Sequence, residues 1–357
     1  MNRTHPRYGQ PWTGRPRLAI MMRTMIRWLL FAVLLATRFI EPAHAEQNMV
    51  RIAQPYGLGY LPSYVAVDRH LIEQHAKASG LGDVTVTLTR MASGPASSDL
   101  LLAGDADIAM GGFGPAFTIW DKTHGAQQVR GIMPLCSSPV FLITIDPRIH
   151  SLRDYQDGDK ISVSAIKVTD QAIVLQMAAA KEWGWDQRFR LDPLTVSMSN
   201  PDALIAILSG QSEVKTHASI IPFSVTELES GKAHLVMTSD DYLEKGSSSV
   251  MMWTSARFHD PNPKLYAAVA AAFEDAIDLI NRDPHQAAAI YVAREPQKRE
   301  LGWIETMIRD PKLITYSSVP RGTQSHAEFM HKVGTLKHDP ASWKELFWEN
   351  MADKPGS

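Results

Sequence analysis

The stretch that decides the fold runs from Ser93-Gly94-Pro95-Ala96 through Leu101-Leu102-Ala103-Gly104-Asp105-Ala106-Asp107-Ile108-Ala109-Met110 to Gly111-Gly112-Phe113-Gly114-Pro115-Ala116-Phe117. A polar glycine turn precedes a short helix from Ser98 to Ala103. A Gly-Asp turn follows, then a buried strand over Asp107 to Met110, then a Gly-rich turn into another helix. Both glycine turns fall where strands meet helices, which is where open α/β sheets bind ligands. Bare backbone N–H groups at such turns suit an anion or a polar head group.

Outward from this motif the α/β alternation continues. Met49 to Ala53 reads as a first strand, and Gln54 to Pro62 as a turn into a helix. Val84 to Thr89 alternates with β-branched residues as a strand does. Val140 to Ile145 reads as another strand, closing a first α/β unit with a sheet covered on both faces. After a polar crossing over 146–159 the pattern restarts. Lys160 to Ser164 is a strand, Lys167 to Asp170 a turn, and Gln171 to Trp183 an Ala-rich helix. Asn200-Pro201-Asp202 opens the next helix, with Pro at an early position, and Ser209-Gly210 ends it at a glycine. The helix–Gly–strand sequence at 98–109 thus has an echo at 202–215, which suggests two similar α/β lobes. Ser249 to Thr254 reads as a strand returning to the first.

The first 45 residues hold seven Arg and a single acid, Glu41, with an apolar run from Trp28 to Ala36 and Ala43-His44-Ala45 before Glu46. Charged n-region, apolar core and A-x-A site describe a secretory signal peptide cleaved after Ala45; the run is far below the ~20 residues that span a bilayer. The full chain has a net charge of −2, and the part beyond residue 45 one of −8. A mildly acidic chain argues against nucleic acid as a partner. One cysteine, Cys136, excludes an intrachain disulfide and any Cys-based zinc spacing, and reads as a small buried hydrophobe. Secretion without disulfides or a lipid-bearing Cys fits a bacterial periplasm.

Ser93-Gly94-Pro95, Ala103 to Ile108, Gly112 to Pro115, Ser151-Leu152-Arg153-Asp154, Leu208-Ser209-Gly210-Gln211 with Pro222, and Asp339 to Phe347 carry a resemblance. In order and spacing the chain beyond residue 45 resembles the periplasmic substrate-binding proteins of ABC importers for nitrate, sulfonates, taurine and thiamine-pyrimidine precursors. The resemblance implies an α/β, type II-like fold: two lobes, each a mostly parallel sheet flanked by helices, with a ligand cleft between them. It implies a first lobe over 46–145 plus 250–330, a second over 146–249, and a helical tail over 331–357. It also implies hinge closure and, as partners, a small-molecule ligand and the permease and ATPase subunits of an ABC importer, the protein itself being a monomer. The chain departs from the pattern at Ser212 to His217, where an Asp-Ala is usual, and it lacks the Cys-rich motif of pyrimidine-synthase relatives.

Candidate ligand contacts follow from position. Tyr56 and Tyr60 come after the first strand, where an aromatic can stack on a ligand and its hydroxyl bond to it, or simply pack between lobes. Ser93 and Gly94 open a helix; capping alone would account for Ser93. Phe113 and Gly114 follow a strand end. Lys167, Thr169 and Asp170 hold the matching position in the second lobe; Thr169 or Asp170 caps its helix, and an Asp facing a ligand would suit an amine. Lys167 could neutralise a sulfonate or carboxylate, although most such lysines are solvated. His217 would point near the cleft and offer a donor or acceptor near neutral pH. No G-x-S-x-G, H-E-x-x-H, P-loop or dinucleotide fingerprint is present. No cofactor or metal is expected. The expected role is capture of a small organic solute (sulfonate, carboxylate or pyrimidine-like) for import. The alternatives are a secreted enzyme using His217 and Asp170 as acid and base, or a sensor module presenting its ligand to a receptor.

Overall fold

Two sheets organise the chain. The first, in the order β11-β4-β10-β3-β1-β2, is built from β1 (Met49–Gln54), β2 (Thr85–Arg90), β3 (Ile108–Gly111), β4 (Arg130–Ser137), β10 (Val250–Thr254) and β11 (Thr315–Tyr316). The second, in the order β7-β6-β8-β5-β9, is built from β5 (Phe141–Thr144), β6 (Ile161–Val163), β7 (Thr195–Ser197), β8 (Thr216–Ser219) and β9 (His234–Thr238). The computed structural model describes Met1, Gly9 and residues 45–125, 127–295 and 299–357. Apart from Met1, Gly9 and Ala45, the expected signal peptide lies outside the described residues. Glu46–Ser357 is one compact unit, and among the described residues no helix is long and apolar enough to cross a membrane.

The sheets are mixed rather than mostly parallel. β1 runs parallel to β2 and β3, with Ile52 beside both Leu88 and Ile108, but β10 enters antiparallel between β3 and β4. In the second sheet β6 is parallel to β7 and β8, and β5 antiparallel to β8 and β9. The strands that carry the chain between sheets, β5 and β10, both reverse, as does the short edge strand β11 against β4. The strand expected to close the first lobe, near 141–145, pairs in the second sheet, so the first crossing falls at Ser137–Val140. β4 is hard to read in the sequence because it contains Gly131 and Pro134. Pro134 sits opposite Met251, where the β4–β10 register shifts and no regular ladder bond is demanded of it.

The sequence echo has a structural counterpart. The Gly94–Ala103 and Asn200–Ser209 helices both end at a left-handed glycine, Gly104 (φ 89°) and Gly210 (φ 67°), and lead into β3 and β8. Over 331–357 the expected helical tail is instead a strap with two 3-10 turns, Trp343–Leu346 and Glu349–Met351. Trp343, Leu346 and Phe347 are buried in the core of the first sheet, and Phe347 bridges to Gly131. Val140, Leu142, Val163, Val174 and Ala218 belong to a second core under the second sheet.

Candidate functional site

Four helices start directly after strands and turn their first residues toward one space between the sheets. They are Gly94–Ala103 after β2, Phe113–Lys122 after β3, Asp170–Trp183 after β6 and Asn200–Ser209 after β7. Gly94, Gly112, Pro115, Asp170, Gln171 and Asn200 from these starts line a cavity of about 80 Å³, together with Tyr60, the crossing residues Ser138, Val140 and Ser249, and Val250 at the start of β10. By volume, it holds several water molecules or a compact organic group.

Asp170 dominates the electrostatics. Its carboxylate crosses between the lobes and accepts from Phe113 N (2.9 Å) and Gly114 N (2.6 Å), the first amides of the opposite helix. A carboxylate at a helix N-terminus meets unpaired donors and the positive end of the macrodipole. Glycines make the approach possible. A Cβ on Gly112 would overlap Asp170 Oδ2, and one on Gly114 would come within 2.5 Å of the Val168 carbonyl. Burial nevertheless wins over these two hydrogen bonds and pushes the Asp170 carboxyl up to about 7. Burial also raises the Tyr60 hydroxyl well above its ordinary range, with Cys136 and Asp170 adding to it, so Tyr60 remains protonated. The Cys136 thiol is buried and pushed up to about 12.

His326 closes the far side of Asp170, its Nε2 lying 3.5 Å from Oδ1. Its ring meets Phe113 and Phe117 edge-on, and burial lowers its pKa to about 4. The two shifts have opposite signs. Asp170, raised from 3.8 to about 7, contributes stability that is lost as pH rises across that interval; His326, lowered from 6.5 to about 4, contributes stability that is lost as pH falls across its own. Over the shared window from about 4 to 6.5 they cancel, because folding amounts to moving one proton from histidine to aspartate. His326→Gln is therefore expected to expose the Asp170 slope: the variant loses stability from pH 4.5 toward 7 in urea titrations, more steeply than the parent. Equal slopes would refute the pairing.

The expected site residues divide. Tyr60, Gly94, Thr169 and Asp170 lie on the cavity wall, with Thr169 also donating to the Ala165 carbonyl at 2.7 Å. Phe113 and Gly114 reach the site through their amides, Phe113 itself being stacked on Phe117. Ser93 sits behind as an N-cap, accepting from Ala96 N. Tyr56 lies in a separate groove with Tyr291 and Glu295, near the Arg90 guanidinium. Lys167 is exposed, with a left-handed backbone (φ 68°). His217 is off the wall and fully buried: Nδ1 lies 2.7 Å from Glu227 Oε1 and Nε2 3.1 Å from Asn200 Oδ1. It therefore holds Asn200, which does line the cavity, and both its ring nitrogens are occupied.

Sequence reading missed Ser138, Gln171, Asn200, Ser249 and His326. Asn200 was the most findable, since Ser199-Asn200-Pro201 mirrors Ser93-Gly94-Pro95 at the start of the matching helix. Gln171 is already committed, accepting from Ser164 and donating to Asn200 and the Ala218 carbonyl. Ser138 Oγ is buried and without a hydrogen-bond partner among the described residues.

No protein-family model matches the chain, and no curated protein matches it by sequence. Its fold is that of periplasmic binding proteins. It is similar to the alkanesulfonate-binding protein of Xanthomonas axonopodis pv. citri bound to MOPS, at 16% identity over 85% of this chain and 99% of that one, with a TM-score of 0.67. The aliphatic sulphonate-binding protein of Escherichia coli is similar at 17% identity, over 85% and 99%, with a TM-score of 0.60. The nitrate-binding protein of a Synechocystis strain is similar at 16% identity, over 87% and 86%, with a TM-score of 0.63.

Proposed function

We infer that this chain is the solute-binding component of an ABC import system, belonging with the nitrate, sulfonate and taurine binding proteins. It is exported to the periplasm with removal of residues 1–45, captures a small organic solute by hinge closure, and delivers it to a membrane permease as a monomer. It performs no chemistry on that solute. The lobes would move about the two crossings, near 138–140 and 239–249.

The observation that carries this reading is the cavity itself. It is walled by helix starts from both sheets, and one of them sends a carboxylate onto the first amides of another. Parting of the two lobes would open such a space to fill and empty, which is the hinge logic of capture proteins. Sulfonate, carboxylate and pyrimidine-like solutes are the starting panel. Calorimetry on the exported protein, freed of co-purified ligand by unfolding and refolding, tests the reading. Saturable binding of one solute without product formation is expected. Turnover of any panel member would overturn it in favour of an enzyme on the same fold.

A further inference from the structure

Three of the four helix starts around the cavity already hold a side-chain oxygen; the fourth, that of Asp170–Trp183, has no side-chain cap. Asp170 occupies the first amides of the Phe113–Lys122 helix. The Gly94–Ala103 and Asn200–Ser209 helices are capped by Ser93 and Ser199, whose hydroxyls accept from Ala96 N and Asp202 N. Among the described residues no lysine or arginine lines the cavity. Beyond Asp170 lies a smaller chamber of about 20 Å³, also reached by Ser138 and Ser249, with Asp240 and Glu244 on its wall and again no lysine or arginine. Lys245 faces Asp240 but does not line it. His326, the remaining basic group there, is held neutral by burial. Above about pH 7, where Asp170 is ionised, an anionic ligand entering this space would meet a carboxylate with no lysine or arginine on the wall to offset the repulsion, whereas a cation would gain a charge-assisted bond from Asp170.

The geometry points to a ligand that directs an amine or amidine N–H at Asp170, so that the site selects cations over anions of the same shape. This narrows the solute-capture reading and rests on it. Asn200 fits the opposite end of such a ligand: its Oδ1 accepts from Gln171 Nε2 at 3.0 Å and lies 3.1 Å from His217 Nε2, which leaves the Nδ2 group as a donor on the wall.

Matched probes test this: benzamidine and 4-aminopyridine against benzoate and benzenesulfonate, titrated by calorimetry into the ligand-stripped protein. The parent is expected to bind the cations about tenfold or more tightly than the anions. Asp170→Asn is expected to abolish that preference, and Asp170→Ser gives a second comparison if the amide distorts the turn. Equal or tighter binding of benzenesulfonate or benzoate by the parent would overturn the inference while leaving solute capture intact. No binding of any of the four at millimolar concentration would also overturn it, and the wider solute panel would then decide separately on capture. The comparison within the parent needs no variant to fold.

Discussion

Asp170→Ala is expected to open the ligand-free protein, seen as an increase in radius of gyration by small-angle X-ray scattering. In the parent the carboxylate makes two inter-lobe hydrogen bonds, 2.9 and 2.6 Å long, to Phe113 N and Gly114 N. Hydrogen bonds to a charged group contribute roughly 1.5–3 kcal/mol each. Desolvation, which pushes the group up to about 7, takes back part of that. A remainder of about 1–3 kcal/mol would change the closed-to-open ratio by about 5- to 150-fold. The other inter-lobe contacts stay in the variant, among them Leu58 N to the Ile221 carbonyl at 3.1 Å. Gly112→Ala reaches the same end by another route. Its backbone (φ −80°, ψ 179°) suits alanine, but the new methyl would occupy the place of the Asp170 carboxylate. Scattering curves of both variants superimposable on the parent's would rule out Asp170 as a latch.

His217→Ala is expected to cost about 3–5 kcal/mol of folding stability, because it strands Glu227 in the interior without a partner. Both side chains of that pair are fully buried, and Glu227 Oε2 already lacks a hydrogen bond among the described residues. Asn200, at the cavity wall, would lose one of the two groups that orient it. Chemical denaturation gives the stability change, and calorimetry with whichever solute binds gives the affinity. Unchanged stability would overturn the reading of His217 and Glu227 as a mutually dependent buried pair.

The residues at which the reading succeeded and failed explain its reach. Local signals sufficed wherever a glycine or a capping residue marks a strand-to-helix turn. The starts at Gly94, Gly112 and Asp170 were therefore legible, and all three line the cavity. Pairing between distant segments was not legible. β4 was hidden by its Gly131 and Pro134, and the allegiance of β5 depends on partners at 216–219 and 234–238. His217 shows the same limit at the level of a side chain. Its type and place in the chain suggest a ligand contact, but period-2 alternation in β8 cannot show that His217 turns to Glu227 on a helix ten residues on. His326 lies some 150 residues from Asp170 in sequence and carries no local motif.

The rim of the molecule carries an optical consequence. Trp303 donates its indole N–H to Glu229 at 2.8 Å from the neighbouring lobe. Trp185 stands edge-on to Phe329 at 5.8 Å, with the Lys332 ammonium 4.3 Å from its ring centroid. Both indoles thus sense a charge that belongs to the other half of the chain. Separation of the halves removes those charges and wets the rings, which shifts their ultraviolet emission. Stopped-flow fluorescence of the unlabelled protein would then follow capture and release in real time, and Trp303→Phe and Trp185→Phe would assign each signal to its own edge of the cleft.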